Sequence, residues 1–323
     1  MILASTTAEI KKWVSVSNNF EPENLIPSAN EVKKYIIDII GDVMFNELIF
    51  NYPNALTPEQ TEIFPIIQKS FVNLAMWHYA DNGGQLEISQ AGFHINTSKD
   101  RKTAFEWQIN QVKRGFKLNG FNALQELLLF LWKSNPTSYL LWRGSANKDE
   151  HLQFFCNDAI AFSRGYNIQK NYLLFCELKD TITFVEQQYI IPVIQEVVAI
   201  DLKSKIKTLS LNGIESLLID KINLALASMV IYHAIPKLAN IFSEHGVFEK
   251  FSSMNITADA SNPARDTTLS LRLREANNTG EKYLVQLGRF MLNNADEFPL
   301  YEPPTENNTS INDIKKSIYI AGL

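Results

Sequence analysis

The side chains that could do chemistry are few and widely spaced. The five histidines are His78, His94, His151, His233 and His245, and only His78 has a carboxylate at helical spacing, Asp81 at i+3. On a helix that spacing puts both groups on one face, where two metal ligands would have to stand. A metal site needs several converging ligands, so a structural histidine is the expected role of His78. His94 and His245 fall in loops beside Gly92 and Gly246. The carboxylates are scattered along helical faces, as at Glu59, Glu62, Glu106 and Glu126, which is the pattern of a solvated surface. There is no glycine-rich phosphate loop, no Gly-x-Ser-x-Gly turn and no His-Glu-x-x-His helix. No catalytic residue, no cofactor site and no metal site is expected, and the chain reads as a non-enzyme.

The charge pattern that stands out is basic. Lys99, Arg101 and Lys102 precede a predicted helix carrying Lys113, Arg114 and Lys117, and a later stretch offers Arg265, Arg272, Arg274 and Lys282. One reading is a solvated helix face with i, i+4 ion pairs. The other is a basic rim facing phosphates or an acidic partner surface. Only Trp107 and Phe116 interleave with the first cluster, so stacking on bases is not indicated.

Composition limits what else the chain can be. A formal net charge of −5 over 323 residues gives no global basic excess of the kind a nucleic-acid binder shows. Hydrophobic residues at 46% and charged residues at 20% are ordinary for a globular protein. Two cysteines, Cys156 and Cys176, are too few for a disulfide scaffold or a thiolate zinc site, and they point to a reducing cytoplasm. The start of the chain turns polar by Thr6, and the longest apolar run, 127–132, is far short of a membrane span. A soluble protein made in the cytoplasm, with no membrane partner, is expected.

The elements that must position these residues are duplicated. Lys34-Tyr35-Ile36-Ile37-Asp38-Ile39-Ile40 is echoed by Gln188-Tyr189-Ile190-Ile191-Pro192-Val193-Ile194, a shift of 154 from Tyr35 to Tyr189. The same shift lays Trp77-His78-Tyr79-Ala80 on Ile231-Tyr232-His233-Ala234, and Ser89-Gln90-Ala91-Gly92-Phe93 on Ser243-Glu244-His245-Gly246-Val247. In that register Tyr232 and Ile235 stand opposite His78 and Asp81, so the repeat shares no histidine. The shift then becomes 160, as if a loop had gained six residues: Arg114 meets Arg274, Gly120 meets Gly280, and Leu124, Leu127 and Phe130 meet Leu284, Leu287 and Phe290. One register held over three segments and resumed over a fourth is the signature of an internal repeat.

The expected fold is mainly α: two tandem helical-bundle units of about five helices each, with a short β-hairpin or extended loop in each copy and an extended C-terminal tail. The first unit spans 1–133, a linker 134–153, the second unit 154–295 and the tail 296–323. Helices are expected at 6–14, 27–50, 57–79, 103–118 and 121–132, the last two broken at Asn119-Gly120. Thr57-Pro58-Glu59-Gln60 is a strong helix start, with a threonine cap, proline in the first turn and an early carboxylate. The second copy expects helices at 157–163, 178–207, 213–234, 267–276 and 281–293, with a kink at Pro192. Tyr139-Leu140-Leu141-Trp142 inside the linker is apolar enough to pack on a domain. Ser317-Ile318-Tyr319-Ile320 in the tail reads either as a strand tucked against its own domain or as an arm added to a neighbouring subunit.

Tyr35 to Gly41, the helix end at 74–79, Ser89-Gln90-Ala91-Gly92 and the closing Arg114…Leu124-x-x-Leu127-x-x-Phe130 stretch resemble, in this order, a family of duplicated proteins of unknown function encoded in phages and prophages of Bacteroidetes-type hosts. Each half is similar in layout to the helical head–tail connector (adaptor) proteins of long-tailed phages. The resemblance implies a virion structural role: a homo-oligomeric ring beneath the portal, in contact with portal and tail or neck proteins, that continues the DNA channel. It implies that Lys99, Arg101, Lys102, Lys113, Arg114, Lys117, Arg272 and Arg274 form the channel face, touching passing DNA non-specifically. It also implies that the hairpin at 86–97 and Ile318, Tyr319 and Ile320 of the tail make inter-subunit contacts. Adaptors of that type are single-unit chains, and this one departs by fusing two. A helical protein-interaction module without a virion role is the alternative expectation.

Overall fold

A computed structural model describes residues 3–82, 86–89, 92–95, 106–238, 240–243, 246–249 and 266–303. Its chain divides into two compact units, one ending at His151 and the other beginning at Leu152. The first opens with α1 (Thr7–Lys11), capped by Thr6 in a reciprocal box with Glu9. A 3-10 turn at Pro22–Leu25 leads into α2 (Ile26–Ile40), followed by α3 (Asp42–Asn51) and α4 (Pro58–Asn82). Then come β1 (Leu86–Ser89) and β2 (Gly92–Ile95), paired antiparallel, and α5 (Glu106–Lys133) with two short helices, α6 (Leu140–Arg143) and α7 (Ala146–His151). Helix α4 is the centre of this unit. Packed against both α5 and α2, it buries Ile63, Ile67, Phe71 and Leu74 at helical spacing.

The second unit runs α8 (Ala159–Gly165), α9 (Tyr172–Val185), a π-turn at Glu186–Ile190, α10 (Ile191–Ile194), α11 (Glu196–Thr208) and α12 (Gly213–Leu238). It continues with the antiparallel pair β3 (Asn240–Ser243) and β4 (Gly246–Glu249), then α13 (Asp266–Asn293) and a 3-10 turn at Ala295–Glu297. Here α12 takes the place of α4, packed on α13, α8 and α9. The expected architecture, two tandem helical units each with a hairpin, is what the chain adopts. Among the described residues no helix is long and apolar enough to cross a membrane.

Three expectations need correction. The helix expected over 27–50 is two, because Gly41 takes φ 80° and ψ 157°, a conformation nearly reserved for glycine. The helix expected over 178–207 breaks at the matching place, Gln195, with φ 73° and ψ 148°. A non-glycine residue held there costs about 1–3 kcal/mol, which its surroundings must offset. Pro192 adds the π-turn just before it: with no N–H to continue the i→i+4 ladder, proline is accommodated in the first turn of α10.

The second correction is that the two helices expected on either side of Gly120 are one, α5 from Glu106 to Lys133, and those expected at 267–276 and 281–293 are one helix, α13. Gly120 and Gly280 are not breakers. A Cβ on Gly120 would lie 2.5 Å from Leu74 Cγ, and one on Gly280 would lie 2.4 Å from Met229 Sδ. These glycines let the two long helices of each unit approach closely.

The third concerns the expected linker, 134–153, which packs on the first unit as far as His151. Kinking at Gly41 ends the ladder with Gly41 N donating to Ile37 O at 2.7 Å, and the carbonyls that follow need donors from elsewhere. Trp142 Nε1 donates to Ile39 O at 2.9 Å, Asn147 Nδ2 to Ile37 O and Asp38 O, and the His151 ring meets Asp38 O at 2.9 Å. Arg143 does the same for the end of α5, donating to Ser134 O at 2.8 Å and Asn135 O at 3.1 Å. The segment is a cap for two helix ends. In the second unit the chain after α13 closes on the matching kink: Gln195 donates to Glu302 O at 2.6 Å and accepts from Glu302 N at 2.9 Å.

Candidate functional site

In each unit the long helix after the hairpin is covered along only part of its length. None of the side chains described from 109 to 119 is buried, and of those from 270 to 279 only Ala276 is. Gly120 and Gly280 are buried where the helices close on α4 and α12. The uncovered parts carry the basic residues singled out from sequence. Lys113, Arg114 and Lys117 share one flank of α5, since a helix advances about 100° per residue. Arg114 is exposed, Lys113 half-buried, and Lys117 sets its ammonium 4.6 Å from the centre of the Trp77 ring.

The second unit repeats only part of this. Arg274 stands where Arg114 does, but Leu273 and Asn277 replace Lys113 and Lys117. Arg272 is exposed too, yet two residues from Arg274 it points to nearly the opposite side of α13. What the copies share is one exposed arginine on an uncovered stretch of helix; exposed Leu271 lies one turn from Arg274, whereas exposed Val112, two residues from Arg114, points away from it. Lys99, Arg101, Lys102, Ile318, Tyr319 and Ile320 lie outside the described residues.

Where the uncovered part of α5 begins to pack, an aromatic cluster surrounds a histidine, and it recurs in the second unit. Tyr35 of α2 stacks on His78 at 6.4 Å between ring centres, with Trp77 4.3 Å from His78 and Phe121 5.3 Å from Tyr35. In the second unit Tyr189 meets His233 at 5.4 Å, with Tyr232 and Phe184 around it, and the Tyr189 hydroxyl lies 3.0 Å from His233 Nε2.

The shared histidine overturns the register read from sequence. Along α4 and α12 the shift is 155, not 154, so His78 matches His233 and not Tyr232. Burial shows the same: Ile63, Ile67, Phe71 and Leu74 correspond to Leu218, Ile222, Leu226 and Met229, every one buried, whereas a shift of 154 would set buried Ile63 on exposed Leu217. The connection between the kink and α12 is one residue longer than its counterpart, and the hairpins return to 154. The signal was present in the sequence. Thr57 and Asn212 form the same capping box, with Gln60 and Glu215 as the reciprocal partners, and those caps are 155 apart.

Both clusters are half-buried aromatic packing, and in the second unit the Tyr189–His233 hydrogen bond pins it. Tyr189→Phe should cost the second unit about 0.5–1.5 kcal/mol by loss of the hydrogen bond to His233. Tyr35→Phe, where the rings stack, should cost clearly less. Urea unfolding of the two variants checks this, and equal losses would show that the hydrogen bond contributes nothing.

Other reactive groups are taken up by structure. Two carboxylates are buried among the described residues, Glu186 and Glu215. Glu186 accepts from Phe155 N at 2.7 Å and Lys203 Nζ at 2.5 Å; burial pushes its pKa up, against the pull of that lysine and backbone donor. Glu215 accepts from Lys205 Nζ at 2.6 Å while closing the α12 cap. Cys156 is fully buried, and burial holds its thiol far above its ordinary pKa, in the protonated and unreactive form. Among the described residues no three His, Cys, Asp or Glu side chains gather as metal ligands would.

No curated protein and no solved structure matches the chain. A family model described as a family of unknown function (DUF6712) matches residues 36–151 and again 190–311. Each match opens at the kinked helix and runs through the hairpin to the segment that caps the kink. The chain therefore belongs to the DUF6712 family, and it carries that family's unit twice.

Proposed function

We propose that this chain is a non-enzymatic virion structural protein: a head–tail connector, or adaptor, that assembles as a homo-oligomeric ring beneath the portal and continues the DNA channel. One observation carries the reading. Both units leave the same part of their long helix uncovered, and both present an arginine there, Arg114 and Arg274. A surface repeated in register along one chain suits contacts with repeated neighbours in a ring. Its positive charge suits non-specific contact with DNA phosphates as the genome passes. What the units share elsewhere also supports a building block. The kink, the cap, the glycine approach and the aromatic cluster around a histidine are all packing features.

On this reading Lys113, Arg114, Lys117 and Arg274, together with Lys99, Arg101 and Lys102, form the channel face, and Arg272, on the other side of α13, stands off it. The chain is made in the host cytoplasm and ends in the virion, touching portal and tail or neck proteins. Native mass spectrometry of the full chain, alone and with portal protein, tests this. A closed ring, or one formed on addition of portal, is expected; a chain that stays monomeric and ignores portal, neck and tail proteins sinks the reading. Arg114→Glu with Arg274→Glu should keep the ring mass and weaken salt-sensitive DNA retention, and unchanged retention would remove these helices from the channel face.

A further inference from the structure

Beside α3 the first unit holds an open groove of about 240 Å3, whose lining includes Met44, Glu47, Glu59, Tyr139, Leu140 and Leu141. Small-molecule sites are typically about 300–1,000 Å3 and more enclosed, so this groove suits side chains of a peptide and not a metabolite. Its apolar rim is unusually bare. Leu140 and Leu141 are 68% and 45% exposed, and Val43 and Phe50, which share a face of α3 with Glu47, are 67% and 87% exposed.

Around that rim stand carboxylates with only neutral partners. Glu47 accepts from Gln60 Nε2 at 3.2 Å, Glu62 from the Tyr139 hydroxyl at 2.9 Å, and Glu59 faces Tyr139 N at 3.4 Å. None of the three is in an ion pair with any described lysine or arginine. An occupant that matches the groove should bring apolar side chains next to positive charge.

A segment outside the described residues that carries two lysines directly before an apolar run is Lys315-Lys316-Ser317-Ile318-Tyr319-Ile320. We propose that this segment of a neighbouring copy docks in the groove, with Ile318, Tyr319 and Ile320 on the apolar rim and Lys315 and Lys316 facing Glu47, Glu59 and Glu62. The tail leaves the second unit from a fixed point, because the Gln195 amide holds both backbone groups of Glu302. From Pro303 to Ile318, extended chain reaches at most about 50 Å, enough to cross to another subunit. The proposal depends on the connector reading only for the presence of a neighbouring copy.

The test uses the full chain with Tyr319→benzoylphenylalanine, a photo-reactive residue, in a mixture of isotopically light and heavy protein. After irradiation and proteolysis, mass spectrometry should find residue 319 joined to peptides holding Leu140 and Leu141 or Val43 and Phe50, in mixed light–heavy pairs. Joins confined to one chain, joins elsewhere, or no joins overturn the proposal. Glu47→Lys, at an exposed position that leaves the fold intact, should lower the yield severalfold, and adding Lys315→Glu should restore it. A loss without restoration also overturns it. Native mass of the same samples separates this result from the connector reading: a ring without these cross-links defeats the docking alone, and cross-linked pairs without a ring defeat the connector alone.

Discussion

Replacing Trp142 with alanine is expected to destabilise the first unit by about 3–5 kcal/mol, the usual cost of removing a fully buried tryptophan. The side chain is 0% exposed, so its whole volume becomes a cavity. It also donates from Nε1 to Ile39 O at 2.9 Å, one of the carbonyls that the kink at Gly41 leaves without a helical donor. Losing Trp142 loosens its whole segment, since Arg143, Asn147 and His151 reach the ends of α5 and α2 from the same short stretch. Trp142→Phe, which keeps most of the volume and loses the donor, should cost much less, about 1–2 kcal/mol. Urea unfolding gives the magnitudes, and limited proteolysis should show new cutting between 134 and 151 in the alanine variant. A loss below about 1 kcal/mol would mean that this segment is a linker after all.

Gly120→Ala should be the damaging one of the two glycine-to-alanine substitutions on the long helix of the first unit. Alanine normally gains about 0.5–1 kcal/mol over glycine inside a helix. Here the new methyl would sit 2.5 Å from Leu74 Cγ and 3.2 Å from Leu74 N, so α4 and α5 must move apart. A net loss of about 1–3 kcal/mol is expected, the usual cost of overpacking. Gly115 is the internal control: nothing lies within 4 Å of a Cβ there, so Gly115→Ala should stabilise by the propensity gain alone. Gly280→Ala should fall between them, because the closest obstacle is Met229 Sδ, part of a flexible side chain, with the backbone at 3.4 Å. If Gly120→Ala stabilised like Gly115→Ala, the close helix approach would be refuted. Shifts in the urea midpoint of the three variants are sufficient to rank them.

Much of the candidate site is legible in the sequence as residues, and less of it as geometry. Arg114 and Arg274 match in the sequence repeat and do occupy equivalent turns of α5 and α13. That Arg272 points away from Arg274 follows from helical spacing alone. The seat of Lys117 over Trp77 does not, because it depends on how α5 crosses α4. The equivalence of the Tyr–His clusters is hidden by a single residue, since one insertion in a loop moves a whole helix by a residue and turns its faces by about 100°.

The sequence by itself determined the features with local causes. The duplication, the helical period of α2 and α4, the cap at Thr57, a short extended stretch before the closing helices of each copy and the six residues added before α13 are all written in near neighbours. Tertiary structure decided the rest. Gly120 reads locally as a breaker, yet it sits in an unbroken helix because a partner helix occupies the space a side chain would take. Gln195 carries no local sign of a break, yet the chain turns there because its amide and the Glu302 backbone satisfy each other across more than a hundred residues. The polar stretch after α5 reads as a linker, yet it folds onto α2 because the kink exposes carbonyls that Trp142, Asn147 and His151 can satisfy. In each case the deciding partner is distant in the chain, where no local propensity can register it.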